Sequence, residues 1–195
     1  MLNTMKREWI EGSLLAVAHN VVRDHVALGH TVVDATMGNG HDTLFLCECV
    51  GEKGRVIGFD VQEEALLATR SRLEEAGIDT ACYVLHRLGH EMMGAHVFSD
   101  VSVVMFNLGY LPGSDKTMIT KVDTTLKALD SAVELLEGGG VLCVMCYPGH
   151  SGGEVEAEAV LQWIQESGSL LQQVVCYRRV GGSERAPFLL VAEKR

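Results

Sequence analysis

No apolar run in this 195-residue sequence approaches the ~20 residues that a membrane span needs, and Met1 to Arg7 is not followed by the uninterrupted apolar stretch of a secretory signal. A cytoplasmic location with no membrane partner is the expectation. Positive charge is also in short supply. The formal net charge of −10 excludes a protein that holds nucleic acid by bulk electrostatics, because phosphate binding shows as a basic footprint. Any RNA contact must then be local, from Lys116, Lys121 and Lys127 in one stretch or Arg178, Arg179 and Arg185 in another; scattered solvated charge explains the same residues equally well. Repeats, low-complexity tracts and linkers are absent. With 47% hydrophobic residues the chain is long enough for one sizeable core and too short for two ordinary domains, so residues 1–195 read as a single domain.

Several familiar catalytic patterns are missing as well. Ser102, Ser114 and Ser151 sit in no G-x-S-x-G elbow, and there is no Walker-type G-x-x-x-x-G-K. No metal site is expected. The six cysteines lie mostly in apolar runs, where a free thiol behaves as a small hydrophobe in a reducing compartment. Cys143 and Cys146 form a C-x-x-C, but Val141 to Cys146 reads as a buried strand, on which positions three apart point to opposite faces. His86 and His90 have helical metal-ligand spacing, yet Gly89 between them and the strand before them argue against a helix.

What is present is an alternation of strand-like and helix-like segments from end to end, the pattern of a mainly parallel sheet covered by helices. A helix over Trp9 to Val26, with Gly29 closing it, opens the chain. Strands follow at Thr31 to Thr36, Arg55 to Asp60, Ala81 to His86, Ser102 to Leu108 and Gly140 to Cys146. Helices are expected around Leu66 to Leu73, closed by Gly77, around Val122 to Leu136, and over Glu154 to Ser167. Leu170 to Arg179 and Ala186 to Glu193 are joined by too few residues for a helix, so these two strands must be antiparallel. The expected fold class is therefore α/β, a doubly wound and mainly parallel seven-stranded sheet with a C-terminal antiparallel hairpin. Ligands of such sheets sit beyond the carboxyl ends of the strands.

The first of those ends carries Asp34-Ala-Thr-Met-Gly-Asn-Gly-His-Asp42, a strand running into a glycine turn that opens a helix at about Asp42, a good N-cap residue. A dinucleotide fingerprint wants a third glycine where this chain has Thr43. About 20 residues on, Asp60 ends the next strand, where a carboxylate can accept bonds from both hydroxyls of a ribose.

Together these residues resemble the first motif of class I S-adenosylmethionine methyltransferases, Rossmann-like in fold, in the variant of a family of small bacterial proteins once labelled rRNA methylases. Members of that family are associated with methylation of 5-aminomethyl-2-thiouridine in tRNA. The resemblance extends through Phe59 to Gln62, Gly89 to Glu91, Asn107 to Gly113, Tyr147 to Gly153 and Pro187 to Leu190, nearly the whole chain. It implies S-adenosyl-L-methionine as cofactor, a cation without phosphates that suits acidic walls. It also implies that Asp34, Thr36 and the loop Gly38, Asn39, Gly40, His41 and Asp42 line the methionine and ribose side. Asp60 would bind the ribose, Gln62 would lie beside the adenosine, and Gly89 and His90 would edge the adenine.

For the chemistry, Asn107 leaves a buried strand directly into the ligand crevice. Its side-chain oxygen and the Leu108 carbonyl form a cradle that accepts the hydrogens of an amine and aims its lone pair. The arrangement resembles the Asn-Pro-Pro-Tyr motif of amino-methylating enzymes, with Leu108 and Gly109 in place of the prolines and Tyr110 beside the amine. His150 is expected to contact substrate first and to act as a base second. The implied partner is tRNA at its anticodon region. Val180 to Arg185 departs from the asparagine- and glutamine-containing stretch of the family. Ribosomal RNA or a small-molecule amine as substrate, a non-catalytic binding module and an NAD-dependent oxidoreductase remain as rivals, and the oligomeric state, a homodimer included, stays open.

Overall fold

The computed structural model describes residues 13–111, 113 and 118–195. The start of the expected first helix at Trp9, together with Pro112, Ser114 and Lys116, lies outside the described residues. The elements in chain order are α1 (Leu14–His25), β1 (Thr31–Asp34), α2 (His41–Val50), β2 (Arg55–Phe59), α3 (Glu63–Glu75) and β3 (Tyr83–His86). They continue with α4 (Met93–His96), β4 (Val101–Asn107), α5 (Val122–Leu135), β5 (Leu136–Cys146), α6 (Gly153–Glu166), β6 (Leu171–Tyr177) and β7 (Phe188–Lys194).

Among the described residues one seven-stranded sheet forms, in the order β3-β2-β1-β4-β5-β7-β6. The first five strands are parallel, and β7 runs antiparallel to both β5 and β6. The chain thus winds outward from β1 to β3, then returns to place β4 on the other side of β1. The carboxyl ends of β1 and β4 lie side by side while their loops leave in opposite directions, which opens a crevice there.

Side-chain alternation along the strands divides the core into two layers. Val33, Ile57, Val104, Phe106 and Val144 pack under α5 and α6 through Leu129, Val133, Val160 and Trp163. Val32, Val56, Val103, Met105 and Met145 pack under α1, α2 and α3 through Val22, Leu46 and Leu73. Cys146 belongs to the first layer and Cys143 to the second, so the C-x-x-C sulfurs face opposite sides of the sheet, as the strand reading requires. No helix among the described residues is long and apolar enough to cross a membrane.

Three local expectations change. The first helix ends at His25, where β-branched Val26 turns extended; Gly29 does not close it, and its N–H instead bonds the Val50 carbonyl at 2.8 Å. Residues 80–82 form a short 3₁₀ turn rather than strand, because the Asp79 carboxylate accepts the Ala81 N–H at 2.8 Å and holds the chain in a turn. Asp42 is not an N-cap: Gly40, left-handed at φ 76°, precedes the first helical residue, and the Asp42 side chain turns inward. Gly77 does close α3, with bonds from its own N–H to Glu74 and from Ile78 to Leu73.

Gly40 has two reasons to be glycine. Its φ of +76° disfavours any L side chain, and a Cβ would stand 2.7 Å from Thr69 Cα on the adjacent helix. Left-handed strain alone costs roughly 1–3 kcal/mol. Gly40→Ala is therefore expected to lose at least about 2 kcal/mol of stability, measured as the shift in urea unfolding midpoint at constant slope. A variant as stable as the parent would show that the turn tolerates displacement.

Candidate functional site

A cavity of about 880 Å³ occupies the crevice beyond the carboxyl ends of β1, β2, β4 and β5. Thr36, Gly38, Asn39, His41, Asp42, Asp60, Gln62, Gly89, His90, Asn107, Tyr110 and His150 all line it. Asp34 and Gly40 do not: they stand behind the turn, the first fully buried and the second packed on α3.

The glycine turn is held by acids rather than left loose. Asp60 Oδ2 accepts the Gly38 N–H at 3.0 Å, and its Oδ1 accepts the Gln62 N–H at 2.9 Å. Burial nevertheless pushes the Asp60 carboxyl above the usual range, which these backbone bonds only partly offset. Arg72 reaches across from α3, donating from Nε to the Asn39 carbonyl at 2.7 Å and from Nη2 to His41 Nε2 at 3.2 Å. The last turn residue before Gly40 and the first residue of α2 are thereby fixed on the cavity wall.

Asp34 accepts the Thr36 N–H at 3.2 Å and the Thr43 hydroxyl at 2.6 Å. Thr43, the residue that spoils the dinucleotide fingerprint, is thus the partner that satisfies a buried acid. Burial, and then the Asp42 charge, push the Asp34 carboxyl up to about 7.

Asn107 sits at the centre of the site. Its backbone N–H donates to Thr36 Oγ1 at 2.7 Å, joining the ends of β4 and β1. Its side-chain Nδ2 donates to Asp42 Oδ2 at 2.6 Å, which leaves Oδ1 as the outward acceptor. The other Asp42 oxygen takes a 2.7 Å bond from His19 Nε2 on α1.

The far wall belongs to the two glycine-rich loops. Tyr110 pairs with Ile119 in an isolated antiparallel bridge, and its ring meets that of His150 edge-on at 5.8 Å. Thr120 Oγ1 accepts the Gly109 N–H and donates to Glu156 at 2.7 Å, and Thr125 donates to the other oxygen of the same buried carboxylate. His150 Nδ1 lies 2.9 Å from the Ser151 carbonyl; since a carbonyl only accepts, Nδ1 carries the proton, and Nε2 is buried without a hydrogen-bond partner among the described residues. His90 is bonded to the Ala35 backbone and meets Phe106 edge-on; burial holds its ring below the usual histidine range, so it is neutral near pH 7.

Sequence reasoning missed Leu15, Thr120 and Thr124 as cavity residues, His19 as the support of Asp42 and Glu156 as the support of Thr120. No local pattern marks them. Leu15, His19, Thr124 and Glu156 reach the site because helices pack there, and Thr120 through its bonds to Gly109 and Glu156.

The raised Asp34 carboxyl has a consequence for stability. An acid that keeps its proton in the folded chain but loses it when unfolded adds stability at low pH. That contribution disappears as pH rises from about 4 through about 7, and is on the order of 4 kcal/mol if uncoupled. Asp34→Asn retains an acceptor for Thr36 and offers a donor to Thr43. Its unfolding free energy is expected to change less than the parent's between pH 5 and pH 8, by urea titration at both values. Parallel pH dependence of the two proteins would remove Asp34 as the cause.

Comparison with known proteins agrees with this fold. A family model described as "Putative rRNA methylase" matches residues 56–193. A chloroplastic tRNA (mnm(5)s(2)U34)-methyltransferase of Arabidopsis thaliana is 42% identical over 153 residues, which are 74% of this chain and 56% of that protein. The chain thus spans little more than half the length of this curated relative. Among solved structures, an rRNA-methylase from Clostridium thermocellum superposes with a TM-score of 0.90 at 38% identity, covering 94% of this chain and 98% of the other. A methyltransferase from Streptococcus mutans in complex with SAH gives 0.84 at 34% identity over the same shares. With its Rossmann-like sheet, its crevice at the β1/β4 switch and a family match over more than half its length, the chain belongs to the rRNA methylase family of class I methyltransferases.

Proposed function

We propose that this protein is a S-adenosyl-L-methionine-dependent N-methyltransferase acting on the aminomethyl group of a modified wobble uridine in tRNA. The observation that carries the reading is the Asn107 amide on the cavity wall: one N–H of its NH2 is held by Asp42, which turns the donor end to that carboxylate and leaves Oδ1 as the acceptor an amine substrate requires. The name of the Arabidopsis relative and the SAH of the Streptococcus mutans structure support the substrate and the cofactor.

The residues present fit the cofactor. Asp60 at the end of β2 would take the ribose hydroxyls, with Gln62 beside it. His90, neutral and with one ring nitrogen spent on Ala35, offers its other nitrogen to the adenine edge next to Gly89. Thr36 and the loop from Gly38 to Asp42 would wall the methionine end, with Asp34 and Gly40 shaping that loop from behind. Bound there, the cofactor supplies an electrophilic methyl group on a sulfonium. The volume lies near the top of the ~300–1,000 Å³ range of small-molecule sites, which leaves room for a nucleobase.

The protein's part is mainly orientation. A primary alkyl amine is largely protonated near neutral pH, as the lysine reference of about 10.4 shows, and only the neutral form has a lone pair to offer. A crevice that desolvates the ammonium favours its loss of a proton. Asn107 Oδ1 and the Leu108 carbonyl then hold the remaining N–H groups, with Tyr110 packed alongside. His150, which lines the same cavity, is assigned a substrate contact first and the role of a base second, Nε2 being its unprotonated ring nitrogen. Lys121 and Arg185 line the same cavity and supply local cations for an RNA backbone despite the acidic net charge. Methylation of rRNA is the alternative that the family description favours.

Two measurements test the reading. Asp60→Ala removes an acceptor for charge-assisted bonds on the order of 1.5–3 kcal/mol each, so affinity for S-adenosylhomocysteine is expected to fall at least about tenfold by calorimetry. Unchanged affinity in the folded variant would sink the ribose assignment. In single-turnover assays with labelled cofactor, tRNA bearing 5-aminomethyluridine at the wobble position is expected to be labelled and tRNA with unmodified uridine is not. Asn107→Ala is expected to slow turnover far more than it weakens cofactor binding, because orientation acts mainly in the transition state. Equal labelling of the two tRNAs, labelling of rRNA instead, or full activity of the Asn107 variant would overturn the proposal.

A further inference from the structure

We propose that His19, on α1, is a positioning residue that orients the Asn107 amide through Asp42; the inference rests on the amine-methylation reading above. Two short bonds in series carry it. His19 Nε2 donates to one Asp42 oxygen at 2.7 Å, and the other oxygen accepts Asn107 Nδ2 at 2.6 Å. An amide has a donor end and an acceptor end of nearly the same shape, and rotation by half a turn exchanges them. Asp42 decides between the two, because the exchanged amide would set its oxygen against a carboxylate oxygen in a site only 8% exposed. His19 in turn decides where the carboxylate plane lies.

The His19 ring is itself held firmly. It stacks on Phe45 at 3.8 Å between centroids and 10° between planes, and the Arg23 guanidinium sits over that same Phe45 ring at 4.8 Å. Leu15, one turn before His19, lines the cavity, so α1 forms part of the wall as well as part of the core. The relay has an electrostatic use too. An amine nitrogen becomes cationic as it takes up an alkyl group, and a carboxylate one hydrogen bond behind its acceptor strengthens that acceptor as the charge appears.

A bond between two helices could serve packing alone, and the test separates the two roles. His19→Phe keeps a flat ring for Phe45 but has no donor, whereas His19→Gln keeps a donor amide of similar reach. With aminomethyl-bearing tRNA, His19→Phe is expected to lower the single-turnover rate at least about tenfold while affinity for S-adenosylhomocysteine changes less than about twofold. His19→Gln is expected to recover most of the rate. The Asn107 side-chain amide resonances, assigned by their loss in Asn107→Ala, are expected to move in His19→Phe and to return towards their original positions in His19→Gln. A full rate in His19→Phe, an equal loss in both variants, or Asn107 resonances indifferent to His19 would overturn the inference. If the parent protein labels no aminomethyl-bearing tRNA, the substrate reading fails, and the amide resonances still decide whether His19 orients Asn107.

Discussion

The 2.7 Å bond from the Asn107 backbone N–H to Thr36 Oγ1 ties together the ends of the two strands at which the sheet reverses its winding. Beyond this point β1 and β4 part company, and every group that faces the cavity is measured from it. Thr36 also sits inside the turn that Asp34 and Asp60 organise, so the nucleoside side and the amine side of the cavity share one anchor. Loops that leave a parallel sheet in opposite directions have no regular structure to align them. Here, side-chain hydrogen bonds take over where the ladder stops.

Three acids crowd this region, and each is accommodated by a different physical means. Asp60 rests on backbone N–H groups, Asp34 is surrounded by burial and a threonine hydroxyl, and Asp42 is shared between His19 and Asn107. Burial raises the carboxyls of both Asp34 and Asp60 above the usual range, and hydrogen bonds to each only partly offset it. Such a set suits a ligand that brings positive charge, and of the described lysines and arginines only Lys121 and Arg185 are among the residues that line the cavity.

Side-chain hydrogen bonds also hold the described ends of the connection between β4 and α5. Gly109 and Thr120 exchange hydrogen bonds, and Glu156, buried on α6, takes both Thr120 and Thr125. A buried carboxylate is costly to desolvate unless both oxygens are satisfied, and here one satisfying group, Thr120, belongs to the connection that carries Tyr110 and the other, Thr125, to the start of α5. The cost of burying the acid is thus tied to the placement of the loop.

Much of this protein follows from its sequence alone. The order of strands and helices, the antiparallel closing hairpin, the opposite facing of Cys143 and Cys146 and the collection of Asp60, Asn107, Tyr110 and His150 on one rim all derive from periodicity and from where strands must end. These are local properties, and side-chain alternation or a glycine turn is written within a few residues. Tertiary structure alone decided the rest. It drew Asp34 behind the turn, made Thr43 its partner and turned Asp42 from an expected helix cap into the link between His19 and Asn107. Those pairings span 9, 23 and 65 residues and depend on how α1 and α2 pack on one face of the sheet, and no sequence period encodes such a distance.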